Sequence, residues 1–358
     1  MLALTAVFAF GWHVNNRKIA SFAVKGFETQ ENLAERRKRT VYSLIFAFLS
    51  FLPMFLVNAF MSYVGNDYQN YYTYYQTIIS GGEQDVEITY KLICRLVNYM
   101  GLGFQGVYIV YCLISYVLLI LCIKKYSANY AVSYILFFLN AYFAYLGLNQ
   151  IRQFVSVMLV LYAFDYIEKK KLLRYVIFVA IAACFHISAI VMLPFYWILN
   201  VKWKLSTYCI ISLILAPVNL FYTEVMTWFY QNFMPRYLNT NYVTRGPGWN
   251  IRYIAVMVIT LFITLIYEKK SDKDATIFRN CLLISNIMVF FASWLPEYQR
   301  FVFYFFAPSI VYIPQLVERD ENRIRRIVIY VLISVIYLWY FMGVYEGMSI
   351  VPYKSIFS

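Results

Sequence analysis

Long apolar runs alternate with short polar ones along the whole chain. Runs near 1–12, 41–61, 104–123, 130–148, 150–167, 207–222, 251–267, 275–293, 301–316 and 327–345 carry almost no charge. A run of this kind reads as a helix that lipid solvates from outside. Several fall short of the roughly 20-residue norm for a span, so their helices should extend past these limits or cross a thinned bilayer. The first covers about 18 Å at ~1.5 Å per residue, against a hydrocarbon core of about 30 Å. Neither a basic region before it nor a small-residue cleavage site after it marks a signal peptide, and the expectation is that part of this span lies upstream.

The stretch 174–199 differs from the others because basic clusters flank it on both sides, Lys169 to Arg174 and Lys202 to Lys204. One span would put those clusters on opposite faces of the membrane. Two short helices meeting near His186 keep them together, with the turn bordering protein or water. The alternative is one long tilted helix. Two polar segments, 62–103 and 223–250, are rich in Tyr, Asn and Gly, the first also carrying Asp, and are too polar to span. The predicted fold is therefore all-α. It is a polytopic transmembrane bundle of about ten to twelve segments, forming one integral membrane domain over residues 1–358 with a re-entrant helical hairpin around His186.

Composition supports this class. Hydrophobic residues make up 62% of the chain and charged ones 14%, against about 25% charged in an ordinary soluble domain. The net charge of +13 acquires a meaning once the basic residues are placed. Segments 13–40, 124–129, 168–174, 200–206, 268–279 and 317–326 hold 23 of the 31 Lys and Arg. Loops this basic face the cytoplasm. The charge is thus a topology signal in short inter-helix loops, and no nucleic acid is implied. The eight basic residues left for the other side include Arg95, Arg152, Arg236, Arg245, Arg252 and Arg300. Six cysteines, none spaced as Cys-x-x-Cys and most within apolar runs, read as buried helix thiols. Two histidines exclude a His-rich metal centre.

Polar groups on the non-cytoplasmic side carry the candidate chemistry, since ionisable groups there are expensive. Gly65-Asn66-Asp67-Tyr68-Gln69-Asn70-Tyr71 combines a turn with an Asp suited to cap a short aromatic helix. Asp67 reads either as that cap or as a carboxylate facing a cavity. Glu83, Asp85 and Glu87 alternate as a cation site does, and also as a solvated loop does. Asn149, Arg152 and Gln153 fall at i, i+3 and i+4 and should share one helical face. Arg152 suits bidentate phosphate binding, or interfacial anchoring. His186, isolated at the proposed turn, is a base, a phosphate donor or a packing residue. Glu297 and Arg300 either pair with each other or leave Arg300 as a second phosphate clamp. No nucleotide-binding glycine motif, HExxH or Gly-x-Ser-x-Gly is present.

These motifs together resemble the EpsG family of bacterial exopolysaccharide proteins, related to Wzy-type polysaccharide polymerases. The resemblance rests on Gly65–Tyr71, Glu87 followed by Tyr90, Asn149–Arg152–Gln153, Phe185–His186–Ser188–Ala189, and Arg300 ahead of a Tyr/Phe-rich helix. It implies a GT-C-like membrane glycosyltransferase in the plasma membrane, working at the outer face on glycans linked to polyprenyl diphosphate. Membrane lipids, a chain-length regulator and a flippase are the partners it implies. Neither a cofactor nor a metal is called for. Arg152 and Arg300 become the diphosphate clamps, and Asp67 or His186 the base. Asn66, Tyr68, Tyr71, Glu87, Arg95, Asn149, Gln153, Arg245 and Glu297 become substrate contacts. A flippase of lipid-linked oligosaccharide, a ligase resembling the O-antigen ligases and a non-catalytic assembly subunit are the alternatives. A transporter should place charges midway along several helices and show repeat symmetry between halves, whereas here the charges gather at one side.

Overall fold

The apolar runs need a lipid environment for one physical reason: their helices leave apolar side chains uncovered. In the computed structural model, α16 (Arg323–Gly347) turns Ile324, Ile327, Val328, Val331, Leu332, Val335 and Leu338 outward. Only 22% of its most apolar window is buried. In water such a stripe would be an aggregation surface; in a bilayer it is the wetted face of a span. The opposite case is α14 (Tyr298–Phe306) with α15 (Ser309–Val317), of which 83% is buried within the bundle. The structure describes residues 1–24, 30–215, 221–233, 250–267, 273–291, 297–347 and 352–357, with the single positions 217, 235 and 350.

The chain begins with α1 (Leu2–Val24) and α2 (Gln30–Ala59). Residues 13–40, expected as a cytoplasmic loop, are therefore mostly helix. Ser43 Oγ donates to Asn16 Oδ1 at 3.0 Å and Arg39 Nη1 to Asn15 Oδ1 at 3.3 Å, so the two helices pair antiparallel through polar rungs. The polar segment 62–103 folds into α3 (Tyr68–Ile79) and α4 (Ile88–Tyr99). Then α5 (Gly103–Tyr126) crosses the bundle and ends on Lys124 and Lys125. The run at 130–148 is not one helix. α6 (Tyr130–Leu139) stops at Asn140, Ala141 takes a left-handed φ of 59°, and a π-helical turn covers Phe143–Gly147. α7 (Ile151–Glu168) follows.

The stretch 174–199 is a hairpin. α8 (Leu172–Phe185) ends where His186 becomes extended, at φ −154° and ψ 118°, and a 3-10 turn (Ile187–Met192) leads to α9 (Phe195–Ile198). Tyr175 donates to Met192 O at 2.7 Å, and its ring lies 5.5 Å from that of Tyr196. On one straight helix Tyr175 and Tyr196 would stand about 31 Å apart, so the tilted-helix alternative is excluded. α10 (Leu205–Leu215) and α11 (Tyr222–Phe233) come next. The run expected as one span at 207–222 is thus a shorter helix, and part of the expected loop 223–250 is helical. α12 (Ile251–Tyr267) and α13 (Lys273–Phe291) complete the set.

Hydrogen bonds sort the connections into two ends. Lys125 pairs with Asp165 at 3.1 Å, Asn129 with Glu318 at 2.8 Å, Tyr267 with Asp320 at 2.7 Å, and Asn280 with the carbonyl of Leu199 at 2.9 Å. These contacts join the lysine- and arginine-rich turns at one end, the basic end. At the other, Asn66 meets Asn149, Ile187 meets Glu87, Gln153 meets Arg300, and Ser62 donates to Lys354 O at 3.0 Å. The thiols follow the apolar pattern less closely than expected. Cys94, Cys112, Cys122 and Cys281 are buried, but Cys184 and Cys209 are exposed.

Candidate functional site

The loop 61–67 is set by Gly65. Its φ of +81° suits glycine, and a Cβ there would meet Asn149 Oδ1 at 2.5 Å and Leu148 O at 2.7 Å. That close approach lets Asn66 N–H donate to Asn149 Oδ1 at 2.7 Å, while Asn149 Nδ2 donates to Ala144 O at 3.0 Å. Asn149 therefore straps the loop to the π turn. It precedes α7, whose N-cap is Gln150, so it does not share the helical face of Arg152 and Gln153 as the spacing suggested. Gly65→Ala is expected to lower stability by about 1–3 kcal/mol, the usual range for a strained backbone position. The melting temperature in detergent measures it.

Asp67 stands at the N-cap of α3, but its side chain accepts no capping hydrogen bond. Its carboxylate meets the side chain of Asn70 instead. Burial holds its carboxyl above the ordinary value of 3.8, with Arg300 and Arg152 opposing that rise and Glu297 adding to it. Asp67 thus lies within electrostatic reach of all three.

Arg152 opens the first turn of α7. Its guanidinium pairs with Glu87, the N-cap of α4, and lies 5.3 Å from the ring centre of Tyr71 and 5.5 Å from that of Tyr90. The pair is largely buried, at 16% and 14% side-chain exposure. Glu87 also accepts from Ile187 N–H at 3.2 Å. It joins α4, α7 and the hairpin turn, so it leaves the row of Glu83 and Asp85. Among the described residues no three His, Cys, Asp or Glu gather as a metal site requires. Arg152 Nε is buried and donates to no acceptor.

His186 sits beside this pair. Its Nδ1 accepts from Ser188 N–H and lies 2.6 Å from Ser188 Oγ. Ser188 Oγ is 2.9 Å from Tyr304 Oη, which is 2.8 Å from Ser156 Oγ. A hydroxyl chain thus runs from the hairpin turn through α14 to α7. Sequence reading missed Tyr304 and Ser156. The signal was present: Ser156 is four residues after Arg152 and Tyr304 four after Arg300, each pair sharing a helical face.

Arg300 pairs with Glu297 at 3.0 Å, and both side chains are well exposed. Gln153, fully buried, donates to Arg300 O at 2.6 Å and so fixes the backbone that carries it. Tyr68 and Tyr71 are buried among Phe104, Tyr108 and Tyr90, and Tyr71 also meets the Arg152 guanidinium. Asn66 is exposed. Arg95 is exposed on α4, about 12 Å along the helix axis from Glu87. Arg236 and Arg245 lie outside the described residues.

The molecule is thus an all-α polytopic membrane bundle with a charged cluster gathered at one end. The sequence signature of the EpsG family matches residues 44–355, and the chain belongs to that family, one of Wzy-type polysaccharide polymerases. No curated protein and no solved structure matches it.

Proposed function

We propose that the chain polymerises oligosaccharide repeat units carried on polyprenyl diphosphate, at the non-cytoplasmic face of the plasma membrane. One observation carries this reading. Asp67, Glu87, Arg152, His186 and Arg300 come from separate segments of the sequence and converge at one end of the bundle, the end away from the basic turns. Basic turns tend to face the cytoplasm, and this supports a cluster on the other side, where nucleotide sugars are not supplied.

The donor's anomeric carbon loses its bond to the diphosphate, and the diphosphate leaves with the electron pair. The acceptor hydroxyl oxygen bonds to that carbon and gives up its proton. The leaving group needs its charge held more than it needs a proton. Arginines preorganised in a poorly solvated site do this. A guanidinium has five N–H donors, so Arg152 can keep Glu87 and still donate to a phosphate oxygen. Arg300, more exposed, reaches the second phosphate. The acceptor's proton passes to Asp67, whose carboxylate is not spent on capping. His186 accepts at Nδ1, which leaves Nε2–H as a donor to the substrate.

Purified chain supplied with a synthetic polyprenyl-diphosphate-linked repeat unit should form a ladder of polymer without nucleotide sugar. Movement of the substrate across vesicles without polymer would make the chain a flippase, and neither activity would leave it an assembly subunit. The orientation has its own check. Ser80, exposed at the end of α3, carried as Ser80→Cys, should react with a membrane-impermeant maleimide in intact cells. Protection until lysis would reverse the topology.

A further inference from the structure

The basic end holds a second built site that glycan transfer does not use. A cavity of about 500 Å³ opens between α1, the α5–α6 turn, the end of α15 and the start of α16. His13, Asn16 and Arg17 line it from α1, Gln315 and Arg319 from α15 and the residues just after it, and Arg326 from α16. Glu318 is the carboxylate among them, and it is already committed. It pairs with Arg326 at 2.5 Å and accepts from Asn129 at 2.8 Å and Tyr330 at 3.1 Å. The wall is therefore left net positive.

Two buried polar atoms on this wall have no hydrogen-bond partner, His13 Nδ1 and Gln315 Oε1, whereas the Asn16 amide is taken by Tyr130 and Ser43. Buried polar atoms are rarely left unpaired, because each forfeits its hydration. Two on one cavity, from distant parts of the chain, point to a polar ligand. The ring of His13 is held edge-on against Tyr130, 5.0 Å between centres. Leu4, Val7 and Phe10 are exposed and fall three apart on α1, with His13 next at the same spacing. An apolar stripe thus leads along the helix to the cationic cavity.

We infer that this cavity binds the phosphate headgroup of an anionic phospholipid, with an acyl chain lying on the α1 stripe. Arg17 and Arg319 hold the phosphate, and the His13 ring and the Gln315 amide meet the polar groups beyond it. Basic pockets between spans on the cytoplasmic side recognise such headgroups by charge and geometry. A soluble phosphate offers the same charge but has no use for the stripe.

The test uses the full chain in a neutral detergent and three probes: dioctanoyl phosphatidylglycerol, dioctanoyl phosphatidylcholine and inorganic phosphate. Phosphatidylglycerol should raise the melting temperature saturably, and the other two should not. Arg17→Gln with Arg319→Gln should raise the half-saturating concentration about 30-fold. If that pair does not fold, Arg17→Gln alone serves, because Arg17 is exposed; it should raise the midpoint about 5-fold. Equal protection by phosphatidylcholine, or an unchanged midpoint in the variants, overturns the site. Equal protection by inorganic phosphate overturns the lipid and leaves a soluble-anion site. The readout is binding, so the outcome is independent of whether the chain polymerises glycans.

Discussion

Arg152→Lys is expected to slow polymer formation on the order of 100-fold, the effect of losing about 3 kcal/mol of transition-state stabilisation. Positive charge survives this change. The planar fork that grips two oxygens at once does not. Lysine also lacks a guanidinium face to lie over Tyr71 and Tyr90. The ion pair with Glu87 complicates any truncation. Removing one partner of a buried pair strands the other, at a cost of about 3–5 kcal/mol, and the residual exposure of 14% to 16% places this pair toward the low end. Arg152→Gln alone should therefore lose both stability and activity. Adding Glu87→Gln should restore the melting temperature, because no lone charge remains, and leave polymer yield near background. That split between fold and chemistry separates a clamp from a strut. Full activity of Arg152→Lys at equal protein level would reduce Arg152 to the structural partner of Glu87.

The same pair shows how much of the site could be read in advance. His186 was legible as a polar group inside an apolar run, and Arg152 and Asp67 as charges in the polar turns between apolar runs. The hairpin at 174–199 was legible from charge, since basic clusters on both sides leave a single crossing no consistent topology. Roles were less legible than positions. Glu87 sits in an acidic row that looks solvated, and nothing local shows that it crosses to α7 and to the backbone of Ile187. Asn149 matched a helical spacing that the chain does not adopt, because the π turn at Phe143–Gly147 delays the start of α7. That turn follows a left-handed Ala141, with neither Pro nor Gly among residues 130–146. It is a tertiary effect: Asn140 is drawn to Ser309, 3.2 Å away on α15. The tyrosines were ambiguous in another way. Their rings suit sugar stacking and headgroup belts equally, and Tyr68 and Tyr71 turn out to be enclosed by other rings.

Asp67→Asn should lower polymer formation by roughly 10² to 10⁴, the usual worth of general-base assistance, with insertion and melting temperature little changed. The fold has no stake in this carboxylate as a cap, since no capping hydrogen bond is made. The pH profile decides the assignment. A base must be ionised, so activity should fall as pH drops through the carboxyl's titration. Burial displaces that titration upward from 3.8, against the pull of Arg300 and Arg152. The acid limb should therefore lie above that of an ordinary aspartate, and it should vanish in Asp67→Asn, whose small residual rate stays flat. His186→Gln supplies the contrast. A glutamine amide can accept from Ser188 N–H and still donate outward, so this variant should be slower yet keep the limb. If instead the limb disappears in His186→Gln and persists in Asp67→Asn, the base is His186. The hydroxyl chain through Ser188, Tyr304 and Ser156 would then be the path that orients its ring.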